Sequence, residues 1–430
     1  MASVRHVRCI KDKFRAELGR FVPSLVTTLY DFENSELRQS TFNDTGKVIT
    51  DPIGFLRENG ADFSVYGVDF NRRVLGLVKV RDLAIANSSD ELKKVPFFFK
   101  AQRENTEKLL TIPFDLLPSI ATSLEEAIST VRNVFLFDTG RCGSTLLCKA
   151  MDATSEVQAV SEPDVYTSVF AFLQSHDFDL TPAAEEEAIM VLKCSTILLN
   201  FYFLKNDPSR QVICYKPRSC ALFIADLLQR AVPSAKTIFL YRNLPGFFDS
   251  WASVMFSGSY WRYYISTALR IDVFYDIPNY TQMEPSLKFF TENHRLVKHP
   301  AARGIPFFLV SSWVLRMQKA YYLINDDQSS FFHAIVTYKE LVTHKERAVL
   351  KVLKEIGVDV SPEEIVKIKQ VFGKDSQEGA GIQSVRRKGD ISKNTWIGNW
   401  ERKLFYSVIE CFSGDVYGPE FVLQNTTVEV

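Results

Sequence analysis

The sequence has no excess of charge, no long apolar run and no ordered cysteine spacing. Lys plus Arg and Asp plus Glu each total 51 of its 430 residues. Bulk binding to nucleic acid or to an anionic membrane needs a broad basic surface, so neither is expected; a local basic pocket is still allowed. No run approaches the roughly 18 apolar residues that a transmembrane helix needs, so no membrane span is expected. The first residues, MASVRHVRCIKDKFRAELGRF, hold no apolar segment of a secretory signal, and Asp12 and Glu17 argue against a transit peptide. A cytoplasmic location is the expectation. The seven cysteines (9, 142, 148, 194, 214, 220 and 411) are odd in number and scattered. Cys142 and Cys148 are near neighbours, but no histidine or second pair completes a zinc spacing, so no metal is expected. They read as small apolar side chains in a reducing compartment. There is no internal repeat and no low-complexity tract.

What is present is apolar and aromatic: 46% of residues are hydrophobic, and 34 are phenylalanine. That composition favours packed cores and apolar clefts over disorder. Residues 1–125 read as an α+β accessory module of unknown role. Within it, 62–70 (DFSVYGVDF) and 73–80 (RVLGLVKV) alternate about Asn71-Arg72 and predict a hairpin. A second strand pair is expected at 95–101 and 109–114. Residues 126–430 read as one α/β domain. Short continuous apolar runs at 134–137 (VFLF), 211–215 (QVICY) and 237–241 (TIFLY) suit strands buried on both faces. Further strands are expected at 157–161 and 333–338. Helices are expected at 144–151, 185–204 and 221–230, after Pro245, and on to about residue 372. The alternation implies a mostly parallel, doubly wound sheet, with ligands at the carboxyl ends of its strands.

The sharpest motif is FDTGRCGSTLL at 137–147. A buried strand enters a glycine-bearing loop, and a helix follows. Glycine permits the tight path, and main-chain N–H groups at the helix start favour an anion. Arg141 adds a forked cationic donor, and Ser144 and Thr145 add hydroxyls. This is P-loop-like but not a Walker A loop, which would have lysine where Ser144 stands. By itself the segment also fits an ordinary strand-to-helix turn. Two more segments point the same way. In 236–251 (KTIFLYRNLPGFFDSW) Arg242 ends a strand, and Ser250 follows on the next helix. In 385–396 (VRRKGDISKNTW) Arg387, Lys388 and Gly389 form a short basic run. Each alone also fits a solvated charge.

In this order the three segments resemble sulfotransferases that use 3′-phosphoadenosine 5′-phosphosulfate (PAPS). The resemblance spans about 131–396 and leaves out the first 125 residues. It implies that Arg141, Cys142, Gly143, Ser144 and Thr145 hold the 5′-phosphosulfate. Arg242, Ser250, Arg387, Lys388 and Gly389 would hold the 3′-phosphate, with PAP as product. It implies Glu162, in AVSEP, as general base, in the style of tyrosylprotein and some bacterial members. Lys216, in VICYKPRS, would steady the leaving group, with Arg218 where cytosolic members carry histidine. Among the histidines, His333 starts an apolar strand and reads as structural; His176 and His294 have no positional argument. The acceptor is left open as carbohydrate, small phenol or alcohol, or peptide. Two alternatives stand beside this reading: a P-loop kinase using ATP, and an inactive nucleotide-binding scaffold.

Overall fold

The computed structural model describes residues 1–10, 26–35, 46–81, 97–256, 259–270, 304–325, 331–373, 396–411, 416 and 418–426. The N-terminal part contains strands β1 (Ala2–Cys9), β2 (Phe32–Asn34) and β3 (Lys47–Ile49) and helix α1 (Pro52–Asn59). It continues with β4 (Phe63–Asp69), β5 (Val74–Val80), α2 (Phe98–Asn105), β6 (Thr106–Pro113) and α3 (Leu117–Glu125). Its strands form an antiparallel sheet in the order β2-β1-β6-β5-β4, with β3 also on β1. The β4–β5 hairpin is the expected one. Its turn is tied by Arg72 N–H donating to Asp69 Oδ1 at 3.0 Å, and Arg73 has a φ of 52°. Side-chain capping of this kind compensates for the poor turn sequence.

The strand expected at 95–101 is corrected: α2 begins at Phe98. Three consecutive phenylalanines read as a strand, yet tertiary contacts decide otherwise. Gln102 Nε2 donates to Ser64 Oγ at 2.8 Å and to Val65 O at 2.9 Å, so helical spacing places this amide against β4. Only β6 of the expected second pair forms.

The second sheet is built from β7 (Arg132–Asp138), β8 (Val157–Ser161), β9 (Val212–Lys216), β10 (Lys236–Tyr241) and β11 (Ala334–Thr337). All neighbours are parallel, in the order β11-β10-β7-β9-β8. Alternate residues feed two cores. Phe135, Phe137, Ile213, Tyr215, Phe239 and Tyr241 enter the larger, while Val134, Leu136, Val212, Cys214, Ile238 and Leu240 enter the smaller. Full burial of one such side chain contributes about 1.5–3 kcal/mol, which explains why both faces are apolar.

Helices cover each face. The smaller core is closed by α4 (Ser144–Asp152), α11 (Tyr338–His344), α12 (Glu346–Glu355) and α13 (Pro362–Val371). The larger is closed by α3, α5 (Val165–Ser175), α6 (Pro182–Asn206), α7 (Ala225–Ala231), α8 (Leu244–Met255), α10 (Ile305–Asn325) and α14 (Asn399–Cys411). A short helix, α9 (Tyr260–Ala268), follows α8. The fold is therefore α/β with a parallel sheet wound on both sides. The helix expected at 221–230 is divided into a 3-10 turn, Ser219–Ile224, and α7. Among the described residues only α6 is long and apolar enough to cross a membrane, and most of it is buried against α3, α7 and β4. The larger core also takes in Phe63, Val65, Leu75, Leu77, Leu110 and Ile112, so the antiparallel sheet shares it.

Candidate active site

The candidate anion loop starts where β7 stops. Asp138 is 2% exposed, and its Oδ1 accepts the Gly140 N–H at 2.5 Å. Gly140, Arg141 and Gly143 have φ values of 83°, 52° and 86°. Glycine takes this left-handed region freely, and the arginine does so at a cost of about 1–2 kcal/mol. Gly143 is also tight: a Cβ there would lie 3.0 Å from the Tyr338 ring. Gly143 caps α4, whose N-terminus receives no side-chain cap. Its first N–H groups and dipole therefore remain suited to an anion. Ser144 and Thr145 are each 6% exposed on its first turn. Cys142 is fully buried, and its Sγ lies 3.3 Å from Leu240 O. Burial, and next Asp138, push its thiol up to about 12. Its side chain points into the core, which leaves its main chain for a ligand.

Arg242 ends β10 beside this loop. Its Nη1 donates to Arg141 O at 3.5 Å, and its Cζ sits 4.3 Å from the centroid of the Tyr338 ring. Burial pulls its guanidinium pKa down from the ordinary value, opposed by Tyr338 and Asp249. Trp313 Nε1 donates to Arg242 O at 2.7 Å and fixes the strand end from α10. Asn243 caps α8 by accepting the Gly246 N–H at 3.2 Å, and Pro245 lies in its first turn as expected. Inside α8, Ser250 Oγ accepts from Arg141 Nε at 3.1 Å. Arg141 also lies 6.0 Å from the Trp251 ring centroid. Arg141, Arg242 and Ser250 thus form one contiguous group. Arg387, Lys388 and Gly389 lie outside the described residues.

Glu162 and Lys216 follow the same logic one strand further. Ser161 and Lys216 are register partners at the ends of β8 and β9. Glu162 N–H donates to Lys216 O at 2.6 Å, and Lys216 Nζ donates to Glu162 Oε1 at 2.8 Å. Asp138 Oδ2 lies 3.8 Å from the same ammonium and accepts no hydrogen bond from the described residues. Burial alone would lower the Lys216 pKa, but Glu162 and then Asp138 outweigh it and raise the pKa above the ordinary lysine value. Lys216 therefore stays an ammonium. Glu162 has a φ of 57°, in the left-handed region.

Two residues on, the pattern repeats. Arg218 Nη2 donates to Asp164 Oδ2 at 3.0 Å, and Arg218 Nε lies 2.7 Å from Asp164 Oδ1. Glu162-Pro163-Asp164 and Lys216-Pro217-Arg218 thus run side by side with opposite charges in register. Sequence reasoning passed over Asp138 and Asp164. The signals were there: a carboxylate closing an apolar strand, and two charge-Pro-charge triplets of opposite sign.

His333 behaves as expected of a structural residue. Its Nδ1 accepts the Thr237 N–H at 3.2 Å, and burial lowers its pKa. His176 Nδ1 lies 2.9 Å from Phe172 O at the end of α5. His294 is outside the described residues. Among those residues, no three histidine, cysteine or acidic side chains form a metal-binding group.

No protein-family model and no curated protein matches the chain. Solved structures similar to it include sulfotransferases. A sulfotransferase domain from the curacin biosynthetic pathway is 13% identical, with a TM-score of 0.33, over 59% of this chain and 83% of that one. A sulfotransferase from Mycobacterium tuberculosis is 12% identical, with a TM-score of 0.35, over 61% and 80%. One from Alicyclobacillus acidocaldarius is 12% identical, with a TM-score of 0.32, over 65% and 96%.

Proposed function

We propose that this chain transfers a sulfuryl group from PAPS to a hydroxyl or amine of an acceptor, releasing PAP. The observation that carries the reading is the convergence of Arg141, Ser250 and Arg242 on the uncapped start of α4, beside the Lys216–Glu162 pair. Two guanidiniums, several hydroxyls and a helix N-terminus are a donor set for sulfate and phosphate oxygens. When bound, PAPS supplies a sulfuryl group activated as a mixed anhydride with phosphate. Arg141, Ser144 and Thr145 orient its anionic end, and Arg242 and Ser250 bind its 3′-phosphate. The side chain of Cys142 takes no part. Lys216 is held protonated, so it donates to the oxygen on which negative charge develops. As Lys216 turns toward that oxygen it leaves Glu162, whose carboxylate then takes the proton of the acceptor.

PAP titration by calorimetry tests the nucleotide half of the reading: wild type binds, and Arg242→Ala binds at least about tenfold more weakly. Absence of PAP binding, or affinity indifferent to Arg242→Ala, refutes it. One observation favours a second reading: Lys216 occupies Glu162 Oε1, as in a scaffold that binds nucleotide without turnover. Isotope-labelled donor with an acceptor library separates the two, since a scaffold releases no labelled product.

A further inference from the structure

The N-terminal part reaches the site through a closed ring of buried and half-buried groups. Thr27 N–H donates to Asp164 Oδ2 at 2.7 Å, across 137 residues of sequence. Phe99, fully buried, lies with its ring centroid 4.4 Å from the Arg218 guanidinium and 5.2 Å from that of Arg103. Arg103 Nε lies 3.4 Å from Asp31 Oδ2 and donates to Tyr66 Oη at 3.2 Å. Tyr66 Oη donates to Asp31 Oδ2 at 2.7 Å. Asp31 in turn accepts from Thr28, the neighbour of Thr27, through its N–H and its hydroxyl, each at 3.1 Å. Asp31 and Asp164 are at most 1% exposed, and Arg103 is 2% exposed. Buried charges persist only when paired, and each of the two carboxylates here has a guanidinium nitrogen within 3.4 Å. One proline lies between each member of the Asp164–Arg218 pair and the Glu162–Lys216 pair. Proline fixes φ, so an anchor on one side is transmitted to the other. Glu162 needs such support, because a non-glycine residue in the left-handed region persists only where its surroundings over-determine it.

We propose that Asp164 and Arg218, anchored by Thr27 and Phe99 of the N-terminal module, are positioning residues that hold Glu162 against Lys216. The inference rests on the roles proposed above for Glu162 and Lys216, but its test does not need the nucleotide. The probe is trace acetylation of the full chain across alkaline pH, with labelling at Lys216 read by peptide mass spectrometry. In wild type Lys216 should be protected, since it is buried and its pKa is raised. The double variant Asp164→Asn/Arg218→Met removes both charges of this pair together. Its Lys216 should label about tenfold faster, the change in free amine that one pKa unit brings. Arg218→Lys, which keeps the charge, should restore part of the protection. Unchanged labelling at Lys79 and Lys319, with a cooperative melt, separates this local release from general loosening. Wild-type labelling of Lys216 in the folded double variant overturns the proposal. Should the double variant not fold, Phe99→Leu is read in the same way: faster labelling supports the proposal, and wild-type labelling overturns it. PAP titration of the same wild-type sample judges the functional reading separately, because Lys216 protection does not depend on it.

Discussion

Lys216 ends β9, Glu162 directly follows the end of its parallel neighbour β8, and the two are joined twice, by a main-chain hydrogen bond of 2.6 Å and a side-chain one of 2.8 Å. The first is part of the sheet register; the second is chemistry. The carboxylate and ammonium meet because β8 and β9 pair in parallel with Ser161 opposite Lys216.

Glu162→Gln should abolish turnover of labelled donor and leave PAP affinity within a few fold. The same variant has a pH signature. The Lys216 pKa is raised in the folded state, so the stability it contributes is fully present below the unfolded lysine value and is lost as pH rises through the folded one. Removing the Glu162 charge leaves Lys216 with Asp138 alone at 3.8 Å, and burial then pulls its pKa down. Thermal melts should show Glu162→Gln losing stability at a lower alkaline pH than wild type. At neutral pH the broken pair should cost less than the roughly 3–5 kcal/mol of an uncompensated buried charge, because Asp138 still faces Lys216.

Arg242→Lys should not rescue what Arg242→Ala loses. The guanidinium stacks on Tyr338 and offers a fork that an ammonium cannot reproduce. Calorimetry with PAP should place both variants at least about tenfold weaker than wild type, or roughly 1.4 kcal/mol.

Gly143→Ala should weaken both fold and binding. The residue has a φ of 86°, and the added Cβ would lie 3.0 Å from the Tyr338 ring. A left-handed alanine costs about 1–2 kcal/mol before any contact with tyrosine. A lower melting temperature, with PAP affinity reduced further, is the expected result.

Glu364 offers an acid-side prediction away from the site. Its burial raises its pKa, but the hydrogen bonds from Ser155 and Ser361 more than offset this and bring it to about 2. Its Oε1 accepts from Ser155 N and Oγ at 2.6 Å and 2.7 Å, and its Oε2 from Ser361 N–H at 2.8 Å. The carboxylate therefore stabilises the fold above the ordinary glutamate range, and this is lost as pH falls toward the folded value. The melting-temperature gap between wild type and Glu364→Gln should shrink over that window.

The parallel strands were legible because a strand buried on both faces must be apolar at nearly every position, as 134–137 and 238–241 are. The turn after β7 was legible because Gly140 and Gly143 mark left-handed backbone and Arg141 sits between them. Helix α2 was not, since three phenylalanines satisfy either period and a bond from Gln102 to a distant strand decided the matter. Nor was the partner of Glu162: β8 and β9 are separated by two helices in sequence and adjoin only through the order of the sheet. Local spacing determined which residues could bear charge beside a strand end. Which charges meet was decided by tertiary structure alone, because an ion pair depends on distance in space and on exclusion of water, and neither is encoded by neighbours along the chain.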